Sequence, residues 1–377
     1  MAVPFNRPHI VGDELDHVGA AIEARRLSGG GEYSRRCAEA LEGRLGAARV
    51  LLTHSGTGAL DMAAILADAG PGDEVILPSF TFTSTANAWV LRGATPVFVD
   101  IREDTLNLDE SRVSEAITER TRAIAPVHYG GVACDMEAIG EIASGCGAVV
   151  IEDAAQALGS SWRGRPLGSF GEAAALSFHE TKNIVSGEGG ALIVNSPEWV
   201  ERAEVVLEKG TNRTAFHRGE TDRYTWTDVG SSFLASEITA AFLWAQLEHE
   251  AEIRAARHGI WGAYREALAG LESSGRLRLP VIPGGAEHNA HLFYLLLDDR
   301  EDRDRLIERL AEADVAAVFH YVPLHSSPAG RRFGRTAGEL PVTDDISDRL
   351  LRLPLWVGMS EVDVSEVVDA VERGLAA

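Results

Sequence analysis

Short apolar runs alternate with amphipathic stretches from about residue 50 to residue 195. This pattern predicts an α/β fold with a large domain built on a mostly parallel, seven-stranded sheet flanked by helices. Two observations carry this assignment. Seven runs are short and almost wholly apolar, the pattern of parallel strands buried on both faces. Beyond about residue 250 the pattern loosens into a smaller α+β unit, so residues 1–250 and 251–377 are expected to form a large and a small domain. A chain of 377 residues has ample apolar surface for both cores.

The expected strands are Arg49–Thr53, Glu74–Leu77, Pro96–Asp100, Ala123–Val127, Ala148–Glu152, Ala173–Phe178 and Ala191–Asn195. Helical spacing places helices between them at Ala59–Ala69, Ser84–Arg92, Asp109–Ile117 and Asp135–Gly145. A further helix is expected near Pro197–Glu208, then a polar loop over Gly210–Tyr224, then one long helix from about Ala235 to Leu271. The smaller unit reads as strands near Leu277–Ile282, His291–Leu297 and Ala317–Tyr321, with helices near Arg303–Ala313 and Val362–Gly374.

Lysine and arginine total 35 against 57 acidic residues, a net charge of −22. A nucleic-acid binder needs a cationic field to displace counterions, so that class is disfavoured. A small anion stays within reach of a local arginine cluster. Cys37, Cys134 and Cys146 are odd in number and lack CxxC spacing, which argues against a disulfide framework or a zinc site, and no metal is expected. The first eight residues lack the apolar core of a signal peptide, and no run is long enough to span a bilayer. A cytoplasmic protein without a membrane partner is expected.

Four short motifs, taken in order, suggest one site at the carboxyl ends of the strands. Thr53-His54-Ser55-Gly56-Thr57-Gly58 follows a strand and opens a helix, where free backbone N–H groups and the helix dipole favour a phosphate. Pro78-Ser79-Phe80-Thr81-Phe82 follows the next strand and offers an aromatic platform; Phe80 and Phe82 alternate, so only one faces a given side. Val149–Glu152 delivers Asp153 to a strand end, with Gln156 three residues on. Each motif has an ordinary reading as turn, core packing or N-cap.

The fourth motif is Ser177-Phe178-His179-Glu180-Thr181-Lys182, followed by the turn Gly187-Glu188-Gly189-Gly190. Lys182 and Lys209 are the only lysines among 35 basic residues. Guanidinium stays protonated, whereas an ε-amine can lose its proton and attack a carbonyl. Lysine retained within this motif therefore points to imine chemistry. Lys209, beside Gly210 at an expected helix end, is sufficiently explained as a cap.

With these motifs, the chain resembles the sugar aminotransferases among the fold-type I transferases that use pyridoxal 5'-phosphate (PLP), the DegT/StrS type. The resemblance is closest to the dTDP-4-amino-4,6-dideoxygalactose transaminases. It is carried by Pro4–Pro8, Ser177–Asn183 and Lys209–Leu247, with Tyr224–Ser232 the most specific part. It implies that Lys182 forms the imine to the cofactor, Asp153 pairs with the pyridine nitrogen and Gln156 meets the ring oxygen. Phe82 would stack on the ring, and Gly56, Thr57 and Ser177 would hold the phosphate. In many relatives a Gly-x-Asn asparagine from the partner subunit completes the phosphate cup; Gly230-Ser231-Ser232 stands there in this chain, so Ser232 takes that place. A homodimer with shared active sites is implied.

The resemblance further implies transfer of the amino group of L-glutamate to the 4-keto carbon of a dTDP-4-keto-6-deoxyhexose, with galacto configuration favoured. The nucleotide diphosphate needs cations, for which Arg213 and Arg218 in the polar loop are candidates. Tyr321 and His325 are candidates for the sugar. Competing readings are an aminotransferase for a 3-keto sugar or a cyclitol, and a non-catalytic PLP-binding regulator.

Overall fold

The structure, a computed structural model, describes residues 3–376. All seven expected strands form: β1 (Arg49–Thr53), β2 (Glu74–Pro78), β3 (Thr95–Val99), β4 (Thr121–Ile124), β5 (Val149–Asp153), β6 (Ala173–Ser177) and β7 (Gly190–Val194). Among the shorter strands that follow are β8 (Phe293–Leu296), β9 (Val318–Phe319), β10 (Arg335–Thr336) and β11 (Leu350–Leu353). The large sheet has the order β1-β7-β6-β5-β4-β2-β3-β10. Its pairs are parallel except for β7, which runs against both neighbours.

Apolar side chains leave both faces of this sheet, so helices cover both sides. On one face the helix Gly56–Leu66 buries Leu60, Met62, Ala63 and Leu66 against β6 and β7. On the other, helices Glu14–Glu23 and Glu32–Leu45 pack with Glu237–Glu248 over Val50, Leu52 and Leu176. Helix starts follow local chemistry. Ser55, Asp135 and Ser236 each accept a backbone N–H of the first turn, and Gly147 ends its helix in the left-handed region.

Residues 235–271 are not one helix. The first helix ends at Glu248 and a second, Glu250–Ser273, begins after His249. The break lets the first segment stay in the large core while the second packs on Glu361–Ala376 of the smaller unit. Leu277–Ile282 is not a strand either; it makes a single bridge, Arg278 to Leu296. Leu277 and Leu279 are buried, but Pro280 and Pro283 remove the donors that a ladder needs. The alternation there records burial without pairing. Conversely, β11 had no counterpart among the expected strands, yet it is the centre of the small antiparallel sheet, between β8 and β9.

A third core, in which Leu268, Phe293, Leu310, Leu351 and Val367 meet, lies in the smaller unit. Two segments cross residue 250 in space. Val3 packs in this third core, and β10 joins the large sheet beside β3. No helix among the described residues is long and apolar enough to cross a membrane.

Candidate active site

The carboxyl ends of the parallel strands open into a cavity of about 520 Å³ lined from both units. Its floor comes from the large sheet. Because β7 is antiparallel to both β1 and β6, Gly190 pairs with Thr53 on one side and Ser177 on the other. Glycine is required there: a Cβ on Gly190 would lie within 2.5 Å of Ser55 and Gly56 backbone atoms, which cannot move aside. Gly56 is equally tight, since its Cβ would stand 2.8 Å from Ser177 Cβ. The two loops are thus pressed together, and Ser55, Gly56, Thr57 and Ser177 form one polar cradle at a helix N-terminus. Ser84, which had no assigned role from the sequence, bonds Thr57 Oγ1 at 2.8 Å.

Asp153 ends β5 and lines the cavity, only 5% exposed. Thr85 Oγ1 donates to its Oδ2 at 2.6 Å, and the Ala155 N–H donates to its Oδ1 at 3.1 Å. Strand alternation sends Glu152, one residue earlier, the other way. There it accepts the backbone N–H groups of Gly168, Phe170 and Gly171 and lies 3.0 Å from His128 Nε2, a purely structural anchor. Gln156 accepts the Gly130 N–H and donates from Nε2 to the Tyr321 hydroxyl at 3.1 Å.

The phenylalanine pair divides as alternation requires. Phe80 is in the core against Tyr129 and Tyr321, while Phe82 is 59% exposed and lines the cavity. Lys182 lines the same cavity. Burial pushes its amine down to about 8 from the ordinary 10.5; the nearby Arg352 cation adds to the effect and Asp153 opposes it. The roof comes from the smaller unit and the N-terminal segment. His320 stacks on Tyr321 with ring centroids 3.6 Å apart, and Asn6 Nδ2 donates to the Glu180 carbonyl.

The cavity therefore brings together Gly56, Thr57, Phe82, Asp153, Gln156, Ser177, Lys182 and Tyr321. Four candidates lie outside it in this chain. Arg218 is held by Glu204 and Glu220, Arg213 lies beside Glu208, and Ser232 is exposed at the surface. His325, expected near the sugar, instead bonds Ser79 and lies 3.4 Å from Asp344. Its side chain is turned to those two partners because Ser79 Oγ also accepts the His325 N–H, which fixes the backbone. Thr85, His291 and Arg352 were missed. Thr85 sits within an ordinary helix start, and nothing in the local sequence sets the other two apart. Among the described residues no group of three or more His, Cys, Asp or Glu could hold a metal.

A phosphate cradle, an open aromatic face, a strand-end carboxylate and a buried amine of lowered basicity fit a phosphorylated pyridine aldehyde. The comparisons agree. Residues 8–372 match the DegT/DnrJ/EryC1/StrS aminotransferase family. The chain is 34% identical to the spore coat polysaccharide biosynthesis protein SpsC of Bacillus subtilis, over 98% of this chain and 96% of the relative. It is 32% identical to the GDP-perosamine synthase of Caulobacter vibrioides, over 98% and 97% of the two. The structure of S. venezuelae DesV in complex with a ketimine intermediate superposes with a TM-score of 0.90 at 31% identity, covering 100% of this chain and 99% of that one. The chain thus belongs to the DegT/DnrJ/EryC1/StrS family of PLP-dependent sugar aminotransferases.

Proposed function

We propose that this enzyme transfers the amino group of L-glutamate to the 4-keto carbon of a dTDP-4-keto-6-deoxyhexose, giving a dTDP-4-amino-4,6-dideoxyhexose of galacto configuration. The observation that carries the transaminase reading is that Lys182 and Asp153 line one cavity, the amine depressed to about 8 and the carboxylate held by two donors. The sugar and its configuration rest on the resemblance of Tyr224–Ser232 and Ser177–Asn183 to the dTDP-sugar transaminases.

Lys182 would carry the cofactor, Asp153 would face the pyridine nitrogen and Gln156 the ring oxygen. Phe82 would cover the ring, and Gly56, Thr57 and Ser177 would hold the phosphate. When bound, the cofactor supplies an electrophilic carbonyl carbon and a ring that withdraws electrons from a carbanion next to nitrogen. The remaining work belongs to the chain. Lys182 Nζ takes the proton from the donor's Cα in the first half of the cycle and returns one to the sugar's C4 in the second. An amine near 8 can do both at neutral pH, because both protonation states are accessible. Asp153, kept as an acceptor by Thr85 and Ala155, stabilises positive charge on the ring side of the cavity. The roof of Phe5, His320 and Tyr321 limits water.

Ser232, Arg213 and Arg218 would serve the site of the partner in a homodimer. The supporting observation is the exposed apolar surface beside them, with Trp226 78%, Tyr224 54% and Phe216 41% exposed. Tyr321 would contact the sugar. A cytoplasmic location suits the three free cysteines. Incubation with L-glutamate and dTDP-4-keto-6-deoxyglucose, followed by NMR of the product, tests the reading. A 4-amino sugar of galacto configuration is expected; turnover only with a 3-keto sugar or a cyclitol would replace it.

A further inference from the structure

His291 lines the cavity where three segments of the chain meet. The Arg257 guanidinium, from the helix Glu250–Ser273, donates to the carbonyls of Ala290 and His291 at 3.0 and 2.6 Å. Asn289 donates to the carbonyls of Gln156 and Leu158, both at 2.8 Å. Asn183, the residue after Lys182, donates from Nδ2 to the Asn289 carbonyl at 2.8 Å. Between them Ala290 takes a left-handed backbone with φ of +52°, which a non-glycine residue seldom adopts. Residues 289–291 are thus held at once by the loop after β5, by the lysine loop and by the smaller unit.

These bonds fix the tautomer of the His291 ring. A carbonyl only accepts, so the amide nitrogen of Asn183 faces Asn289 and its Oδ1 faces His291 Nδ1, 2.9 Å away. Nδ1 therefore carries the hydrogen. The ring stays neutral, because burial and then the nearby Lys182, Arg257, Arg352 and His320 hold its basicity well below the ordinary imidazole value. Nε2 is left as a bare acceptor with no hydrogen-bond partner among the described residues. Three cations, Lys182, Arg257 and Arg352, line this cavity against two carboxylates, Asp153 and Glu188; His179 and Tyr321 complete its titratable lining. Asp153 is taken by Thr85 and Ala155, and Glu188 is 71% exposed, 3.7 Å from His179 Nε2. His291 Nε2 is the acceptor that remains open.

We infer that His291 is a positioning residue for Lys182: its Nε2 accepts a hydrogen bond from the Lys182 ammonium whenever that amine is free of the cofactor. This role rests on the transaminase reading above. No proton passes between the two; the imidazole stands in for water around a buried ammonium. Two observations favour Lys182 over other donors. The ring is tied through Nδ1 to the residue directly after Lys182, so a shift of the lysine loop carries the ring with it. Lys182 is also the foremost of the cations acting on the ring. In turnover Lys182 becomes an ammonium when it takes the donor's α-proton, and an acceptor beside it makes that transfer more favourable. A hydroxyl of the sugar is the other donor that could reach Nε2.

The pH profile of cofactor capture by the full-chain apoenzyme, in which Lys182 is free, separates these donors. An acceptor stabilises the ammonium, so removing it in His291→Leu lowers the midpoint of capture by about one pH unit from its wild-type value near 8. At pH 7 the variant then captures pyridoxal phosphate about fivefold faster than the wild type, the opposite of what damage to the site would do. His291→Gln keeps an oxygen acceptor, and its midpoint lies closer to the wild type than to the leucine variant. In the holoenzyme, α-deuterated glutamate shows a larger primary isotope effect in His291→Leu, since the proton transfer has become less favourable. A midpoint that stays in place or rises in His291→Leu would overturn the assignment, and a loss confined to the keto-sugar half-reaction would give Nε2 to a sugar hydroxyl instead. Ring nitrogen-15 NMR of the wild-type apoenzyme needs no variant to fold: every histidine with a protonated Nε2 at pH 7 would equally refute it. If borohydride does not label Lys182 in the wild type, the transaminase reading fails instead, so the two failures are distinct.

Discussion

Thr85 and Asp153, 68 residues apart, are joined by a 2.6 Å hydrogen bond whose direction is fixed. A carboxylate can only accept, so the Thr85 hydroxyl hydrogen points at Asp153, and the Thr81 hydroxyl 2.9 Å away donates to Thr85 in turn. The chain Thr81–Thr85–Asp153 runs from the aromatic platform to the end of β5. It keeps the carboxylate in place. Thr85→Val keeps the shape and removes the donor. It is expected to lower kcat about tenfold, the worth of one hydrogen bond to a charged group, with a smaller effect on cofactor affinity. Equal kcat in the two proteins would show that Ala155 alone suffices.

Lys182→Ala should abolish turnover, because Lys209 is the only other lysine and lies outside the cavity, beside Glu208. Borohydride reduction of the wild type with bound cofactor should leave a label on the peptide containing Lys182. A label elsewhere, or residual transamination above background in the variant, contradicts the role.

The lowered basicity of Lys182 sets a pH window. Below about 8 its amine is protonated and cannot attack an aldehyde; above about 8 it is neutral. The rate at which apoenzyme captures pyridoxal phosphate should therefore rise about tenfold per pH unit up to that value and level off beyond it. The same shift acts on stability. Between about 8 and 10.5 the unfolded chain binds more protons than the folded one, so this group makes stability rise with pH there; below 8 its penalty is constant. Stopped-flow absorbance against pH tests the first statement. Urea titration of apo wild type against apo Lys182→Ala tests the second, the variant expected to be the more stable below pH 8 by about 1 kcal/mol after discounting for cavity water.

Gly190→Ala forces a methyl group into the Ser55–Gly56 backbone, where an ideal Cβ would be 2.4 Å from Ser55 C. The cradle must open, so cofactor affinity should fall at least about tenfold, or about 1.4 kcal/mol, with a lower Tm. Equilibrium dialysis and a melting curve measure both. Gly187→Ala is a useful contrast: its Cβ meets nothing within 4 Å, so it reports only the strain of a left-handed backbone with φ of +78°.

Much of this was legible before the structure. The seven main strands appear within a few residues of where their apolar runs place them, because strands buried on both faces carry a signal that needs no partner to read. The small sheet was harder. Leu277–Ile282 has the composition of a strand but sits beside prolines without a ladder, and β11 hides in Leu350–Leu353 because a four-residue run has no periodicity to measure. The long helix broke at His249 for a tertiary reason, the change of packing partner from the large core to the small.

The same division runs through the site. Gly56, Asp153 and Ser177 were identifiable because each sits at the end of a strand or the start of a helix, where backbone geometry alone aims a group at the sheet's open edge, and Lys182, in the loop after β6, because lysine is so rare in this chain. Arg352, Thr85 and His291 carry no such local mark. Arg352 stands out only after folding, because no carboxylate among the described residues forms an ion pair with it, a property of the folded surroundings and not of its neighbours in the chain. Sequence by itself determined the elements and the chemistry they could present. The tertiary structure alone decided which charges would be left facing each other, since burial and ion pairing exist only once distant segments have met.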